Sequence, residues 1–311
     1  MTQSLKIAVE EFLQSLVQEQ RRAPLTADNY QRYLKRFINW LNTRLERAVS
    51  INDITVSAIA GFRQWLGRQR GRDGHELASS TQNYHLIALR SFLKHLHRRQ
   101  TGNLPPQAVK LMRPTEHQLT TMAGTELERL LAAPGRTQET ELIKLRDRAL
   151  LELMVGSGLK VSELVSLQRD QVLLDHAEFN LRGHHGRVRT VPLSHQTRHH
   201  LKRYLEVRTD HSPALFVRHD RAGSPKQAAK PLTSRSVQRS VERYRRLANL
   251  QKKITPSSLR HAYAAYLVAA GTDLKTVQTL LGHRHASTTA TYARSVLRAA
   301  PRLPSQREEH H

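Results

Sequence analysis

Apolar residues recur at helical spacing along most of this 311-residue chain, and one long proline-containing stretch interrupts the pattern. Between Gln100 and Glu116 the spacing stops at TGNLPPQAVKLMRPTE. Proline ends a helix because it lacks a backbone N–H and clashes with the preceding turn. We therefore predict two domains, over residues 1–100 and 117–300, with a linker at 101–116 and a tail at 301–311.

Four sets of apolar residues in the first hundred positions predict a bundle of four helices. A break at Pro24 separates the first two helices, and Thr26 is predicted to cap the second. The candidate core residues of the four helices are Ile7, Phe12, Leu13 and Leu16; Tyr30, Leu34, Phe37, Ile38 and Leu41; Ile51, Ile54, Val56, Ile59, Phe62 and Leu66; and Leu86, Leu89, Phe92, Leu93 and Leu96.

The second domain is predicted to be helical with one small sheet. The segment RDRALLELMVGSGL indicates a helix that ends near Gly156 and Gly158, and another helix is predicted from Ser162. In AEFNLRGHHGRVRTVPLS, two short apolar runs flank a glycine-containing turn, which is typical of a β-hairpin. A later helix is predicted to be capped by Thr233 or Ser234. The predicted fold class is therefore mainly α with a small β-sheet.

Positive charge is the most informative property of the composition. The 50 Lys and Arg residues outnumber the 26 Asp and Glu residues, which leaves a formal net charge of +24 spread along the chain. Such a charge favours a polyanionic partner such as DNA or RNA, because basic side chains that bind it release condensed counterions. A ribosome-associated protein or a merely basic soluble protein is the alternative at this point.

Other properties of the sequence argue against several classes of protein. No apolar run is long enough to span a bilayer, so we expect no membrane partner. The absence of cysteine excludes disulfides and thiolate zinc sites. The N-terminal MTQSLKIAVEEF lacks the layout of a signal peptide. We therefore expect a cytoplasmic protein.

Residues 254–296 read ITPSSLRHAYAAYLVAAGTDLKTVQTLLGHRHASTTATYARSV and carry four short motifs. LRH ends at His261, AAG follows, LLGH ends at His283 and TTATY ends at Tyr292. In order and spacing these motifs resemble the signature region of the tyrosine recombinases, which include the Xer resolvases and the phage integrases. Upstream, RDRALLELMVGSGLKVSELVSLQ resembles the first catalytic box of that family, and the hairpin ending in TVPL resembles another of its elements.

The resemblance implies both an architecture and an activity. The expected architecture is a helical, SAM-like core-binding bundle followed by an α+β catalytic domain, which together close round DNA as a C-shaped clamp. The expected activity is site-specific recombination of double-stranded DNA, which is cut and rejoined through a 3′-phosphotyrosine intermediate without cofactor or metal. The resemblance also implies a homo-oligomer, namely a tetramer on two DNA sites.

The reaction needs a nucleophile, cations for the phosphate oxygens and an acid for the leaving 5′-oxygen. By their positions in the motifs, the resemblance implies that Tyr292 is the nucleophile and Arg260 a phosphate-clamping arginine. It implies that His283 donates a hydrogen bond to the phosphate. His261 completes the Arg-His pair of the family and is predicted to contact DNA.

Three positions depart from the pattern of the family. Lys160 occupies the position of its first arginine, and lysine cannot form a bidentate pair with two phosphate oxygens. His184 aligns with the hairpin lysine that serves as general acid, and Arg182, Arg187 or Arg189 is the alternative there, although an arginine gives up a proton reluctantly. Ser257 stands where the family has a histidine. An alternative therefore stays open: a catalytically impaired relative that binds specific DNA or organises a complex.

Basic and polar residues give candidate DNA contacts, most of them to phosphates. In the first domain these are Arg36, Thr81, Asn83, Arg90 and Lys94, and in the second Arg187, Arg189, Arg235, Arg239 and His261. The fourfold spacing of Arg235, Arg239 and Arg243 also fits a solvated stripe of charge on one helix face. The clustered histidines lack both cysteine and a motif such as HExxH, so we predict no metal site.

Overall fold

The computed structural model describes residues 3–20, 24–71, 74–102, 104–113, 122–183, 186–219, 229–283, 286 and 288–292. The chain divides into two compact units, Met1–His117 and Gln118–His311, each with a hydrophobic core. Both units are mainly helical, and the sheet found in the described residues is a two-stranded hairpin. The predicted fold class, mainly α with a small β-sheet, is confirmed.

The first unit contains helices α1 (Leu5–Gln18), α2 (Pro24–Leu45), α3 (Val56–Gly67) and α4 (Ser79–Arg98). One phenylalanine from each helix lies at the centre of the core, and all four are fully buried. Ring centroids of Phe12 and Phe92 are 5.5 Å apart and those of Phe37 and Phe62 are 5.0 Å apart. These contacts join α1 to α4 and α2 to α3, as the predicted four-helix bundle requires.

Several local predictions for this unit are wrong. Helix α2 begins at Pro24, so Thr26 lies inside its first turn and does not cap it. Proline suits this position because its φ is already helical and the first turn offers no partner for an N–H. Ile7 is 51% exposed, because the buried stripe of α1 runs through Val9 and Phe12 instead.

The predicted third helix begins later than its apolar spacing indicates. Helix α3 begins at Val56, so Ile51 and Ile54 precede it, although both are buried in the core. Val56 itself is 59% exposed and is not a core residue.

Residues 104–113, within the predicted linker, pack against the first unit. Val109 is fully buried in its core. Asn83 on α4 donates from Nδ2 to the Met112 carbonyl at 2.9 Å and accepts from the Met112 N–H at 2.7 Å. Arg90 on the same helix donates from Nε to the Val109 carbonyl at 3.1 Å. The boundaries of the linker stay a prediction.

The second unit is built around one largely buried helix, α6. Its elements in chain order are α5 (Gly124–Ala132), α6 (Glu141–Ser157), α7 (Val161–Ser166), β1 (Glu178–Arg182), β2 (Val188–Pro192), α8 (His195–Glu206), α9 (Ser234–Leu247), α10 (Pro256–Ala269) and α11 (Leu274–Leu281). Helix α6 packs against α5, α8, α10 and β2. Residues 288–292 are again helical. The unit therefore packs α10 against the buried helix α6, and α11 packs against α10.

The hairpin and several helix ends follow their sequence signals. Strands β1 and β2 pair antiparallel with Phe179 opposite Val191, and both side chains are buried. Gly158 ends α6 in the left-handed conformation with φ of 60°. Thr233, one of the two predicted caps, accepts a hydrogen bond at 3.1 Å from a backbone N–H of α9. Helix α7 begins one residue earlier than predicted.

Candidate active site

Tyr292 lies in the helical segment 288–292, and its side chain is 3% exposed. It packs in a small apolar cluster that includes Tyr263 from α10 and Leu281 from α11. The Tyr292 hydroxyl oxygen lies 2.8 Å from Nδ1 of His261 on α10. The tyrosine that motif spacing predicts as nucleophile therefore has an imidazole at hydrogen-bond distance.

Arg260 is held by two backbone carbonyls. Its Nη1 donates to the Gly158 carbonyl at 2.7 Å, and its Nη2 donates to the Leu281 carbonyl at 2.6 Å. Since Gly158 ends α6 and Leu281 ends α11, the guanidinium joins the ends of two helices to α10. A guanidinium has five N–H donors, so these two bonds orient Arg260 and leave donors for a phosphate.

Glu163 on α7 is buried and links the basic residues of the site. Arg189 on β2 pairs with it in bidentate geometry, at 3.0 Å from Nη1 to Oε1 and 2.7 Å from Nη2 to Oε2. Nζ of Lys160 and Nη1 of Arg260 each lie 4.0 Å from the same carboxylate. The backbone N–H of Lys160 also donates to Glu163 at 2.9 Å. One carboxylate thus orients three cations from different elements of the fold.

The ring of His283 is held between a threonine and Tyr292. Its Nδ1 lies 2.9 Å from the hydroxyl of Thr289, which is 1% exposed. Its ring stacks on that of Tyr292, with centroids 5.8 Å apart and 17° between the planes. The side-chain amide of Gln278 donates to the His283 carbonyl at 3.1 Å. Both the ring and the main chain of His283 are therefore fixed by the protein itself.

Burial and positive charge set the protonation of the histidines at this site. Burial lowers the pKa of His261, and the charge of Arg260 lowers it further. Burial, followed by the charge of Arg260, lowers the pKa of His283 to about 4. Burial raises the pKa of Tyr292, and Arg260 offsets part of that rise. Both imidazoles are therefore uncharged at neutral pH, and each has one nitrogen with a free lone pair.

Glu163 stays ionised although it is buried. Burial acts to raise its pKa, but the hydrogen bonds from Arg189 and from the Lys160 N–H hold the pKa below its usual range. The carboxylate therefore keeps its negative charge among the cations of the site at neutral pH.

The other predicted residues of the second unit lie in different settings. Ser257 is exposed as the second residue of α10, and Arg187 is exposed just before β2. His184 lies outside the described residues. Arg189, a predicted DNA contact, is instead buried against Glu163 and also donates from Nε to a backbone carbonyl at 3.0 Å. A DNA phosphate would have to compete with that carboxylate for Arg189.

The predicted DNA contacts of the first unit divide into two kinds. Lys94 is exposed, Thr81 is half-buried, and Arg36 lies 5.1 Å above the ring of a tryptophan. Asn83 and Arg90 instead hold residues 104–113, as described above. Their roles in DNA binding stay predictions.

Helix α9 presents basic side chains on one exposed face. Arg235 and Arg239 are exposed, while Arg243 pairs with Glu139 at 2.7 Å. Glu242 on the same helix pairs with Arg246 at 2.7 Å. The stripe therefore keeps positive charge at its N-terminal end and is partly neutralised towards its C-terminal end.

The described ranges of the chain contain neither a membrane-spanning helix nor a metal-binding group of three side chains. None of the helices described there has both the length and the apolar composition needed to cross a membrane. Those ranges also contain no group of three His, Asp or Glu side chains placed to hold a metal ion.

Sequence reasoning missed two residues of the site, Glu163 and Thr289. An acidic residue three positions after Lys160 is the spacing of a helix cap, and that signal was available. Thr289 lies inside the TTATY motif, where no local rule indicates a contact with His283. The sequence predicts that His261 contacts DNA, and the structure places its Nδ1 2.8 Å from the hydroxyl of Tyr292, the predicted nucleophile.

Two family models and two curated relatives are similar to this chain. Residues 120–297 match the model of the phage integrase family, and residues 9–100 match the N-terminal SAM-like domain of phage integrases. Tyrosine recombinase XerD of Pseudomonas putida is 31% identical over 97% of this chain and 96% of its own length. Tyrosine recombinase XerC of Proteus mirabilis is 29% identical over 93% of this chain and 90% of its own length.

Solved structures share the fold at lower identity. The XerH site-specific recombinase bound to palindromic difH substrate, in a post-cleavage complex, has a TM-score of 0.70 at 20% identity, over 94% of this chain and 81% of that chain. A lambda integrase dimer bound to a COC′ core site has a TM-score of 0.71 at 16% identity, over 99% of this chain and 100% of that chain. Because the catalytic-domain model spans more than half of the sequence and the XerD relative aligns over nearly all of it, this chain belongs to the phage integrase family.

Proposed function

We propose that this chain is a site-specific recombinase that cuts and rejoins double-stranded DNA through Tyr292. The observation that carries the proposal is the 2.8 Å contact between the Tyr292 hydroxyl and His261, beside the fixed guanidinium of Arg260. The similarity to tyrosine recombinases along nearly the whole chain supports the same activity.

The geometry suits a phosphoryl transfer in which the protein supplies every group. Tyr292 attacks the scissile phosphorus and passes its proton to Nδ1 of His261, whose low pKa leaves that nitrogen free to accept it. Arg260 and His283 stabilise the negative charge that develops on the phosphate oxygens. The covalent 3′-phosphotyrosine conserves the energy of the broken bond, so rejoining needs no ATP.

The burial of Tyr292 has a consequence for substrate access. A side chain that is 3% exposed cannot reach a phosphodiester in a duplex without some rearrangement of the groups that cover it. We infer that DNA binding uncovers Tyr292, which would keep the free protein from forming adducts with stray phosphodiesters.

A second candidate function belongs to another class, namely a DNA-binding relative that does not cut. Lys160 favours it, because an ammonium cannot make the two parallel hydrogen bonds of the arginine that the family has there. Ser257 favours it as well, since it is exposed and has no basic nitrogen.

Covalent trapping separates the two functions. The preferred duplex is first selected from a random DNA library by binding, and a nicked suicide form of that duplex is then incubated with the protein. If the protein is a recombinase, we expect a protein-DNA adduct on denaturing gels that is absent for Tyr292→Phe. Binding without an adduct, together with an adduct regained by Lys160→Arg combined with Ser257→His, would identify a non-cutting relative.

The assembly and the compartment belong to the same proposal. We infer a homo-oligomer on DNA, with four copies on two sites, acting in the cytoplasm. Mass photometry of the protein with one or two selected sites tests this assembly. A complex that stays monomeric on saturating DNA would contradict it.

A further inference from the structure

Of the three cations described around Glu163, Lys160 is the most accessible. Its side chain is 43% exposed, whereas those of Arg189 and Arg260 are 6% and 7% exposed. Its Nζ lies 4.0 Å from Glu163, beyond hydrogen-bond distance, because Arg189 occupies the carboxylate with two shorter bonds. The ammonium therefore keeps its N–H donors for a bound phosphodiester.

Lys160 belongs to the same electrostatic site as the nucleophile. Its positive charge is among the causes that lower the pKa of His283, whose ring stacks on Tyr292. It also shares the carboxylate of Glu163 with Arg260 at equal distances of 4.0 Å. A phosphodiester that reaches Arg260 and His283 therefore enters the field of Lys160.

Strand cleavage requires a proton donor at the leaving 5′-oxygen, and most of the described groups of the site cannot act as one. His261 and His283 are uncharged at neutral pH, because burial and Arg260 lower the pKa of each. Arg189 and Arg260 are guanidinium groups, which give up a proton reluctantly. A lysine ammonium can both attract the phosphate and transfer a proton to an alkoxide.

We propose that Lys160 is the general acid of this enzyme and that Glu163 positions it. The assignment rests on the proposed recombinase function. As the bond from Tyr292 Oη to phosphorus forms and the bond from phosphorus to O5′ breaks, one proton passes from Nζ of Lys160 to O5′. In rejoining, the neutral amine takes a proton back from the attacking 5′-hydroxyl. One side chain thus combines the positive charge and the acid that the family places on two residues.

The test replaces the bridging 5′-oxygen of the scissile phosphate with sulfur in the selected suicide duplex. A thiolate is far less basic than an alkoxide and leaves without a proton. With the oxygen substrate, Lys160→Met and Lys160→Arg are expected to form the adduct roughly 100- to 10,000-fold more slowly than the wild type. With the sulfur substrate, Lys160→Arg returns close to the wild-type rate, and Lys160→Met recovers most of its loss.

Two controls distinguish acid catalysis from simple charge. Arg260→Lys acts on the non-bridging oxygens, so its defect is expected to be the same with oxygen and sulfur. His184→Ala should also slow adduct formation by the same factor with the oxygen substrate and with the sulfur substrate. Circular dichroism and thermal unfolding establish that Lys160→Met is folded, and its recovery with sulfur is a second check.

Several outcomes would overturn the assignment. If the Lys160 variants are equally impaired with the oxygen and sulfur substrates, Lys160 has an electrostatic role alone. If Lys160→Met cleaves the oxygen substrate as fast as the wild type, Lys160 has no role in catalysis. Recovery of His184→Ala with sulfur would assign the acid to the hairpin. A wild-type protein that forms no adduct even with sulfur would remove the recombinase function itself and this assignment with it.

Discussion

Replacement of Gly158 by alanine tests whether the end of α6 is shaped around the active site. Gly158 has a φ of 60°, and a side chain in the left-handed region costs about 1–2 kcal/mol. A Cβ built there would lie 2.4 Å from Cδ1 of Tyr263 and 2.9 Å from Cδ2 of Leu281. Overpacking of a well-packed core costs about 1–3 kcal/mol more. We therefore expect Gly158→Ala to lower the free energy of unfolding by about 2–5 kcal/mol.

Gly271→Ala is a matched control in the same unit. Gly271 has a φ of 84°, but an added Cβ would meet no atom within 4 Å. The free energy of unfolding of this variant should fall only by the cost of placing a side chain in the left-handed region, about 1–2 kcal/mol. The difference between the two variants therefore measures the contact with Tyr263 and Leu281.

Urea unfolding followed by two probes measures both variants. The two tryptophans, Trp40 and Trp65, lie in the first unit, so their fluorescence follows that unit while circular dichroism follows helices in both. We expect the fluorescence transition to stay in place and the second-unit transition to shift. If Gly158→Ala is no less stable than Gly271→Ala, the packing argument is refuted.

The same substitution should also affect cleavage. The Gly158 carbonyl accepts a hydrogen bond from Nη1 of Arg260 at 2.7 Å, and displacement of that carbonyl moves the guanidinium. Loss of one donor to a developing negative charge costs roughly 100- to 1,000-fold in rate, and a displaced arginine should lose a part of that. Gly271→Ala should form the covalent adduct at the wild-type rate.

Three further predictions concern single contacts. Glu163→Gln removes one partner of a buried ion pair and should cost about 3–5 kcal/mol in urea unfolding at pH 7, with part regained by adding Arg189→Met. Because the pKa of Glu163 is lowered in the folded state, its contribution to the free energy of unfolding is present above its usual pKa and is lost as the pH falls. The difference in unfolding free energy between the wild type and Glu163→Gln should therefore become smaller in acid. Thr289→Val removes the hydroxyl that contacts Nδ1 of His283 and should slow adduct formation, whereas Thr289→Ser keeps the hydroxyl and should not. Neither substitution should change the rate in a His283→Trp background, where Nδ1 is absent. An equal loss of rate in that background would give Thr289 a packing role alone. Asn83→Ala, which breaks two hydrogen bonds to residue 112, should lower the stability of the first unit by about 1–3 kcal/mol by tryptophan fluorescence, and an unchanged midpoint would contradict that role.

The active site was predictable where its residues belong to an ordered set of motifs. His283 stacks on Tyr292, and Arg260 bonds to the carbonyl of Leu281, which lies in the same cluster as Tyr292. The structure thus brings these three residues together, as their places in the motifs imply. The partners of those residues were harder to predict, because a motif names a residue without saying what it contacts. Ser257 stands at the histidine position of the family, yet it is His261 that reaches Tyr292.

The buried environment of Arg189 could not be predicted from charge alone. From composition, an arginine on a hairpin in a chain of net charge +24 reads as a DNA contact. The alternation of β2 turns this side chain inward, as Leu181 opposite it on β1 is also buried. A buried guanidinium needs a carboxylate partner, and Glu163 supplies it.

The sequence by itself determined the fold class, the hairpin and the end of α6 near Gly156 and Gly158, and it singled out Tyr292 as the predicted nucleophile. These follow from periodicity, turn residues and motif spacing, which act over a few neighbouring positions. Only the tertiary structure decided which groups meet, because those contacts join residues far apart in the chain: 31 positions for Tyr292 and His261, 26 for Arg189 and Glu163, and 102 for Arg260 and Gly158. Such contacts depend on how α6, α7, α10 and α11 pack, and that packing is specified by the whole core at once.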